Sequence, residues 1–246
     1  MTDARIPILM YHQVDQRPEK GAPYRGLVVS PSRFASQIAW LKRLGYQGLS
    51  MPKLLPYLRG EKTGKVVGIT FDDGYVNNLD CALPVLQQYG FSSSCYVVSN
   101  QNGGSNVWDH AKGIAPQALM THEHMRQWIA AGQDIGAHTC SHADLLTLTA
   151  KEALYEITHC RRQLEDALGS AVAHFCYPYG HFDACHVAMV EEAGYLTATT
   201  TQRGLARPSV AASQGLLTLP RVPVTGSTWW LQFVRKITTY YEDGRH

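Results

Sequence analysis

The sequence predicts an α/β fold built on a parallel sheet, and three observations carry that expectation. Short β-branched or apolar runs alternate with amphipathic segments along the 246 residues. The amphipathic segments open at helix-capping residues and stop at glycine. No repeat, low-complexity tract or Ser/Gly/Pro-rich linker interrupts the series, so residues 1–246 read as one domain. Such βα units in series give parallel strands, in a sheet that is either open or closed into a barrel.

In chain order, residues 7–12 form the first expected strand. Ser30-Pro31, an N-cap followed by proline at the first helical position, opens a helix that closes at Gly45. Strands are expected at 46–49 and 65–71, then a helix over 77–89 ended by Gly90, then a strand at 94–98. Residues 100–109 are irregular, hold Gly103-Gly104 and Trp108, and form a candidate substrate loop. A helix over 121–131 stops at Gly132 and leads into a strand at 133–138. Thr149-Ala150-Lys151-Glu152 is a capping box for a helix that ends at Gly169. A strand at 172–176, a helix over 183–193 stopped by Gly194, and strands at 195–199 and 216–219 complete the series. Residues 229–237 read as a terminal helix packed on the sheet, with aromatic and basic content that also suits weak docking at a membrane surface.

Composition narrows the function. With 45% hydrophobic, 10% aromatic and 17% charged residues the chain is not disordered. Lys and Arg (22) nearly balance Asp and Glu (20), so the basic excess of a nucleic-acid binder is missing. Eleven histidines are a rich supply of the commonest metal ligand and proton carrier. The six cysteines contain no C-x-x-C pair and read as reduced core thiols. An acid stands near the N-terminus where an export signal needs basic residues, and no apolar run approaches the ~18 residues of a spanning helix. The expectation is a cytoplasmic chain, membrane-associated at most through its surface.

Two strand ends carry chemistry. Ile69-Thr70-Phe71 runs into Asp72-Asp73-Gly74-Tyr75. Successive strand residues face opposite ways, so two adjacent carboxylates can take different tasks, one on a metal and one on protons. Asp and Gly also favour ordinary turns, so this signal is weak alone. Asp134-Ile135-Gly136-Ala137 runs into His138-Thr139-Cys140-Ser141-His142, where the four-residue spacing lets two imidazoles share a face. One Asp with two His is a three-ligand N/O set that leaves room for water and substrate, the pattern of a catalytic metal site. It suits zinc foremost, with cobalt, nickel or iron as alternatives. His122, His124 and His159 read as ordinary surface or core histidines.

With these motifs in this order the chain resembles the polysaccharide deacetylases of the NodB-homology type. Thr70-Phe71-Asp72-Asp73-Gly74 matches the family's first motif, His138-Thr139-Cys140-Ser141-His142 its second, and Phe175-Cys176-Tyr177-Pro178-Tyr179-Gly180 its third. Leu219-Pro220-Arg221-Val222-Pro223 extends the likeness over nearly the whole chain. The resemblance implies a distorted (β/α)-barrel of about seven strands and metal-dependent removal of N-acetyl groups from an amino sugar. By motif, Asp73, His138 and His142 would hold the metal, Asp72 would be the general base, and the Tyr179 backbone N–H would stabilise the oxyanion.

Two departures from the family pattern matter. Cys176 stands where the third motif usually has an arginine that fixes the base, and Arg221 is the substitute we expect. The family's general acid comes from a C-terminal histidine, but residues 216–224 contain none, whereas Tyr11-His12 ends the first strand. This resembles the circularly permuted branch that includes poly-N-acetylglucosamine deacetylases. In a closed barrel the first and last strands are neighbours, so His12 would occupy the same place, with His181 as competitor. Tyr75, Trp108, Asp109, Pro178 and Arg221 are the expected substrate contacts. The expected partner is an N-acetylated amino-sugar glycan or its precursor in a cell-envelope or exopolysaccharide pathway. A deformylase of a lipid-linked amino sugar and a non-catalytic carbohydrate-binding protein are the alternatives.

Overall fold

The computed structural model describes residues 5–208 and 213–243. Its strands are β1 (Ile8–Tyr11), β2 (Gln13–Val14), β3 (Val28–Val29), β4 (Gln47–Leu49), β5 (Val66–Phe71), β6 (Ser94–Val97), β7 (Asp134–Ala137), β8 (His174–Cys176), β9 (Thr197–Arg203) and β10 (Leu219–Pro223). Its helices are α1 (Pro31–Arg43), α2 (Met51–Leu58), α3 (Leu83–Tyr89), α4 (His122–Ala130), α5 (Ala150–Leu168), α6 (Ala184–Glu192), α7 (Ser213–Leu216) and α8 (Trp230–Thr238).

Seven parallel strands close into a barrel in the order β1-β5-β6-β7-β8-β9-β10 and back to β1. Closure rests on β1, which pairs with β5 (Ile8↔Gly68 to Tyr11↔Phe71) and with β10 (Leu9↔Val222, Met10↔Pro223). β4 takes the first half of the β5 edge and β6 the second, so β4 adds to the sheet without widening the ring. β2 and β3 form a separate two-stranded ribbon. Every residue of β5 is buried, as a strand covered on both faces requires.

Alternation along the strands sorts side chains into two layers. Leu9, Tyr11, Ile69, Phe71, Cys95, Val97, Phe175 and Tyr177 belong to the larger core, together with apolar residues of α1, α3, α4, α5, α6 and α8. Ile8, Tyr96, Cys176 and Leu219 belong to a smaller core with Met51, Leu54, Leu55 and Leu58 of α2. The spacing i, i+3, i+4, i+7 of those four α2 residues is a helical signal that two prolines, Pro52 and Pro56, obscure in the sequence.

Most expected elements form within two or three residues of their expected bounds. The capping box at Thr149 is made on both sides, and Gly169 ends α5 in the left-handed conformation. Three expectations are corrected. Residues 77–89 do not form one α-helix: Asn78–Ala82 is π-helical before α3 begins. The last strand is not at 216–219, because α7 holds Leu216 and β10 starts at Leu219. The 100–109 stretch is partly ordered into 3-10 turns. All six cysteines are free, and four are buried. Among the described residues no helix is long and apolar enough to cross a membrane.

Candidate active site

Both motifs lie just beyond the carboxyl ends of strands. After β5 the Asp72 amide bonds the Tyr11 carbonyl at 3.0 Å, then Asp73 and Gly74 turn the chain at φ 74° and 81°. A Cβ at Gly74 would sit 2.9 Å from Val97, so the turn needs glycine both for its conformation and for its closeness to β6. After β7, Thr139 and His142 are also left-handed, at φ 64° and 61°. Among the described residues five non-glycine residues have positive φ, and four of them (Asp73, Thr139, His142, Tyr179) are in the three motifs. Each such residue costs about 1–3 kcal/mol and persists only where its surroundings over-determine it. Here they do: Thr139 Oγ1 accepts the His142 amide, and Glu156 of α5 accepts the amides of Cys140 (2.8 Å) and Ser141 (2.9 Å) as well as the Ser141 hydroxyl.

Asp73, His138 and His142 converge in a buried cluster. His138 Nδ1 donates to the Cys176 carbonyl at 2.7 Å, which turns its Nε2 towards Asp73. The two Nε2 atoms lie 3.5 and 3.3 Å from Asp73 Oδ1. Ligands roughly 2.0–2.1 Å from one tetrahedral ion are themselves roughly 3.3 Å apart, so the donor set fits a divalent cation such as zinc. Burial raises the Asp73 pKa, but hydrogen bonds from both imidazoles and the charge around them outweigh it and hold it well below the usual carboxylate range. Burial also lowers His142. His142 is sandwiched, with Trp108 stacked on it at 4.5 Å and the Tyr179 ring edge-on at 4.6 Å.

Asp72 faces the barrel interior and meets Arg221. Nη1 reaches Oδ1 and Nη2 reaches Oδ2, both at 2.7 Å, a bidentate pair. The guanidinium also donates to Thr70 Oγ1, the Thr200 carbonyl and Cys176 Sγ. Burial pushes the Asp72 carboxyl up, yet Arg221's charge and hydrogen bonds, helped by His12 and His138, bring it below its ordinary value. Cys176, Asp72 and His138 are close enough to form a second ligand trio. Arg221 occupies it, bonding both Asp72 oxygens and the thiol.

A pocket of about 220 Å³ opens above these groups, walled by His12, Asp72, Asp73, His138, His142, Trp108, Asp109 and Tyr179, with Tyr24, Leu27, Lys112 and Thr201 among its other lining residues. His12 thus reaches the pocket, its carbonyl bound by Asn78 Nδ2 at 2.7 Å. His181 does not line it and bonds Asp144 on the surface instead.

Three expected substrate contacts are corrected. Arg221 has no exposed surface, so it cannot touch a substrate and serves Asp72 instead. Pro178 is buried and is not in the pocket wall. Tyr75 is 3% exposed and belongs to the wall of a neighbouring groove, not of this pocket. Sequence reasoning missed Glu156, Asn78, Tyr24, Leu27 and Lys112. Lys112 lies 3.2 Å from Asp109 with its ammonium over the Tyr179 ring. All five lie outside the strand-end motifs, so no local pattern marks them.

A family model described as polysaccharide deacetylase matches residues 59–198. The YxkH protein of Bacillus subtilis (strain 168) is 29% identical over 224 residues, covering 90% of this chain and 72% of YxkH. The poly-beta-1,6-N-acetyl-D-glucosamine N-deacetylase of Escherichia coli (strain K12) is 34% identical over 83 residues, covering 33% of this chain and 12% of that enzyme. The structure of the Streptococcus pyogenes deacetylase PplD, in complex with acetate, superposes with a TM-score of 0.81 at 25% identity, covering 96% of this chain and 99% of PplD.

Proposed function

The chain belongs to the polysaccharide deacetylase family, and on that premise we propose that it hydrolyses N-acetyl groups of an N-acetylglucosamine-type amino sugar in a cell-envelope glycan or exopolysaccharide. One observation carries the reading: an Asp73–His138–His142 ligand set and an arginine-held Asp72 share one pocket. The E. coli relative's substrate supports the choice of sugar.

Asp73, His138 and His142 would hold a divalent cation, zinc foremost, which would supply Lewis acidity to water and to the amide carbonyl. Asp72, ionised and fixed by Arg221, takes the proton from the attacking water; each carboxylate oxygen keeps a second lone pair for this. The backbone N–H of Tyr179 stabilises negative charge on the former carbonyl oxygen. His12 gives a proton to the departing amine. Trp108 and Tyr179, flanking His142, and Asp109 shape the pocket around the acetyl group and its sugar.

The test is acetate release from N-acetylglucosamine oligomers by chelated protein with single metals restored. Activity returning with one of zinc, cobalt, nickel or iron is the expected result. No acetate with any metal, or formate release from N-formyl sugars alone, overturns the reading. His12→Asn is expected to erase the basic limb of the pH–rate profile while His181→Asn keeps it; the reverse moves the acid to His181.

A further inference from the structure

The chain between β2 and β3 carries Tyr24 and Leu27 to the catalytic pocket, and two arginines, Arg17 and Arg25, lie on the same excursion. Arg33, on the first turn of α1, comes up beside them. The Arg17 guanidinium packs on Gly226: a Cβ there would lie 2.5 Å from Arg17 Nε and 2.9 Å from Cζ. Arg33 Nη1 donates to the Gly226 carbonyl, and Arg25 Nε to the Pro18 carbonyl at 2.7 Å. These protein partners are neutral carbonyls. Arg5, Arg59, Arg126, Arg161, Arg203 and Arg221 each face a carboxylate. Among the described residues Arg17, Arg25 and Arg33 have no such ion pair, as is also true of Arg43, Arg162, Arg207 and Arg235, but only Arg17 and Arg33 meet at one point, Gly226. Of the two acids here, Asp15 bonds the Gln16 amide and Asn77, and Glu19, on the loop itself, is exposed. Arg17 Nε is also shut from solvent without a hydrogen-bond partner. Burial and repulsion from Arg25 and Arg33 lower the Arg17 pKa.

A guanidinium keeps its proton under such crowding, so an anion placed among the three would be stabilised. We infer that Arg17, Arg25 and Arg33 form a binding site for a phosphoryl group borne by the glycan substrate, beside the catalytic pocket. Planar N–H forks match phosphate oxygens, and three cations suit a group carrying up to two negative charges. Arg33 also lines a cleft with Ser30, Ser32, Ser36, Trp229 and Trp230, where hydroxyls and indole faces suit a sugar ring next to the phosphate. The inference rests on the deacetylase reading for the identity of the substrate, but its test reads binding.

Calorimetric titration of the full chain uses inorganic phosphate, N-acetylglucosamine 1-phosphate, and vesicles of phosphatidylglycerol against phosphatidylcholine. Both soluble phosphates are expected to bind with affinity that falls as salt rises, and Arg17→Gln and Arg25→Gln, each checked for folding by circular dichroism, each to weaken binding about tenfold or more. Absence of phosphate binding overturns the site, as does equal binding by both variants or binding to the vesicles alone. Phosphate binding that needs the arginines, without acetate release from any sugar, sinks the deacetylase reading and leaves the anion site standing. Acetate release without arginine-dependent phosphate binding does the opposite.

Discussion

Asp72 and Asp134 sit at opposite ends of the same barrel, and their carboxyl groups move in opposite directions. Asp72, past the carboxyl end of β5, is buried among Arg221, His12 and His138 and is held below its ordinary pKa. Asp134 opens β7 at the amino end, where its main close polar neighbour is the Ser94 hydroxyl, and burial pushes it up to about 7. His174, opening β8 at that same end, goes the other way, down to about 3, because burial favours its neutral form while Nδ1 meets the Thr197 hydroxyl. At the amino end burial therefore outweighs the other interactions and shifts Asp134 and His174 towards their neutral forms. At the carboxyl end the same desolvation is overcome by opposite charges in contact. The two carboxylates of the carboxyl end stay ionised, although burial lowers His142 there as well.

The largest effect should come from breaking the charged end at its ligands. Asp73→Asn or His142→Ala is expected to cut turnover on the order of 10³-fold or more, with metal content by elemental analysis falling in step. A variant that keeps both its metal and its rate would remove the distinction between the two ends. Next, Asp72→Asn should lower kcat by about 10²-fold. It also leaves Arg221 buried without its counter-charge, so denaturant unfolding should show a loss of about 3 kcal/mol. Glu156→Ala, which frees the amides of Cys140 and Ser141, should weaken metal binding by about tenfold while the fold persists.

The smallest effect belongs to the neutral end. Because the folded-state pKa of Asp134 is raised from 3.8 to about 7, the stability it contributes is full below pH 4 and is lost as pH rises through 7. Asp134→Asn keeps an acceptor for Ser94 and removes this loss. Melting curves should show the variant gaining about 1–2 kcal/mol on the native chain at pH 8 and nothing at pH 4. A gain that does not depend on pH would mean that Asp134 is ionised in the folded chain throughout.

The strand-end motifs were legible because each is local: a buried run, a turn, and acids or imidazoles within a few residues. Asp72, Asp73, His138 and His142 could therefore be singled out before any contact was known. The helix over residues 51–58 was missed because prolines hide its apolar spacing, and the last strand was displaced because Leu216–Leu219 is apolar enough to fit either a helix end or a strand. Arg221 was linked to Asp72 only through the gap left by Cys176, and its complete burial had no signature in its neighbours.

The sequence by itself determined the alternation of strands and helices, the three-ligand set and the acid beside it, since these depend on residues close along the chain. Tertiary structure supplied the contacts behind two expectations drawn from the sequence, Arg221 gripping Asp72 across 149 positions and His12 rather than His181 reaching the pocket, and it alone decided that Glu156 braces the second motif. Those contacts exist because β1 bridges β5 and β10 and closes the ring. Closure is a global event, and no short stretch of chain encodes which distant side chains it brings face to face.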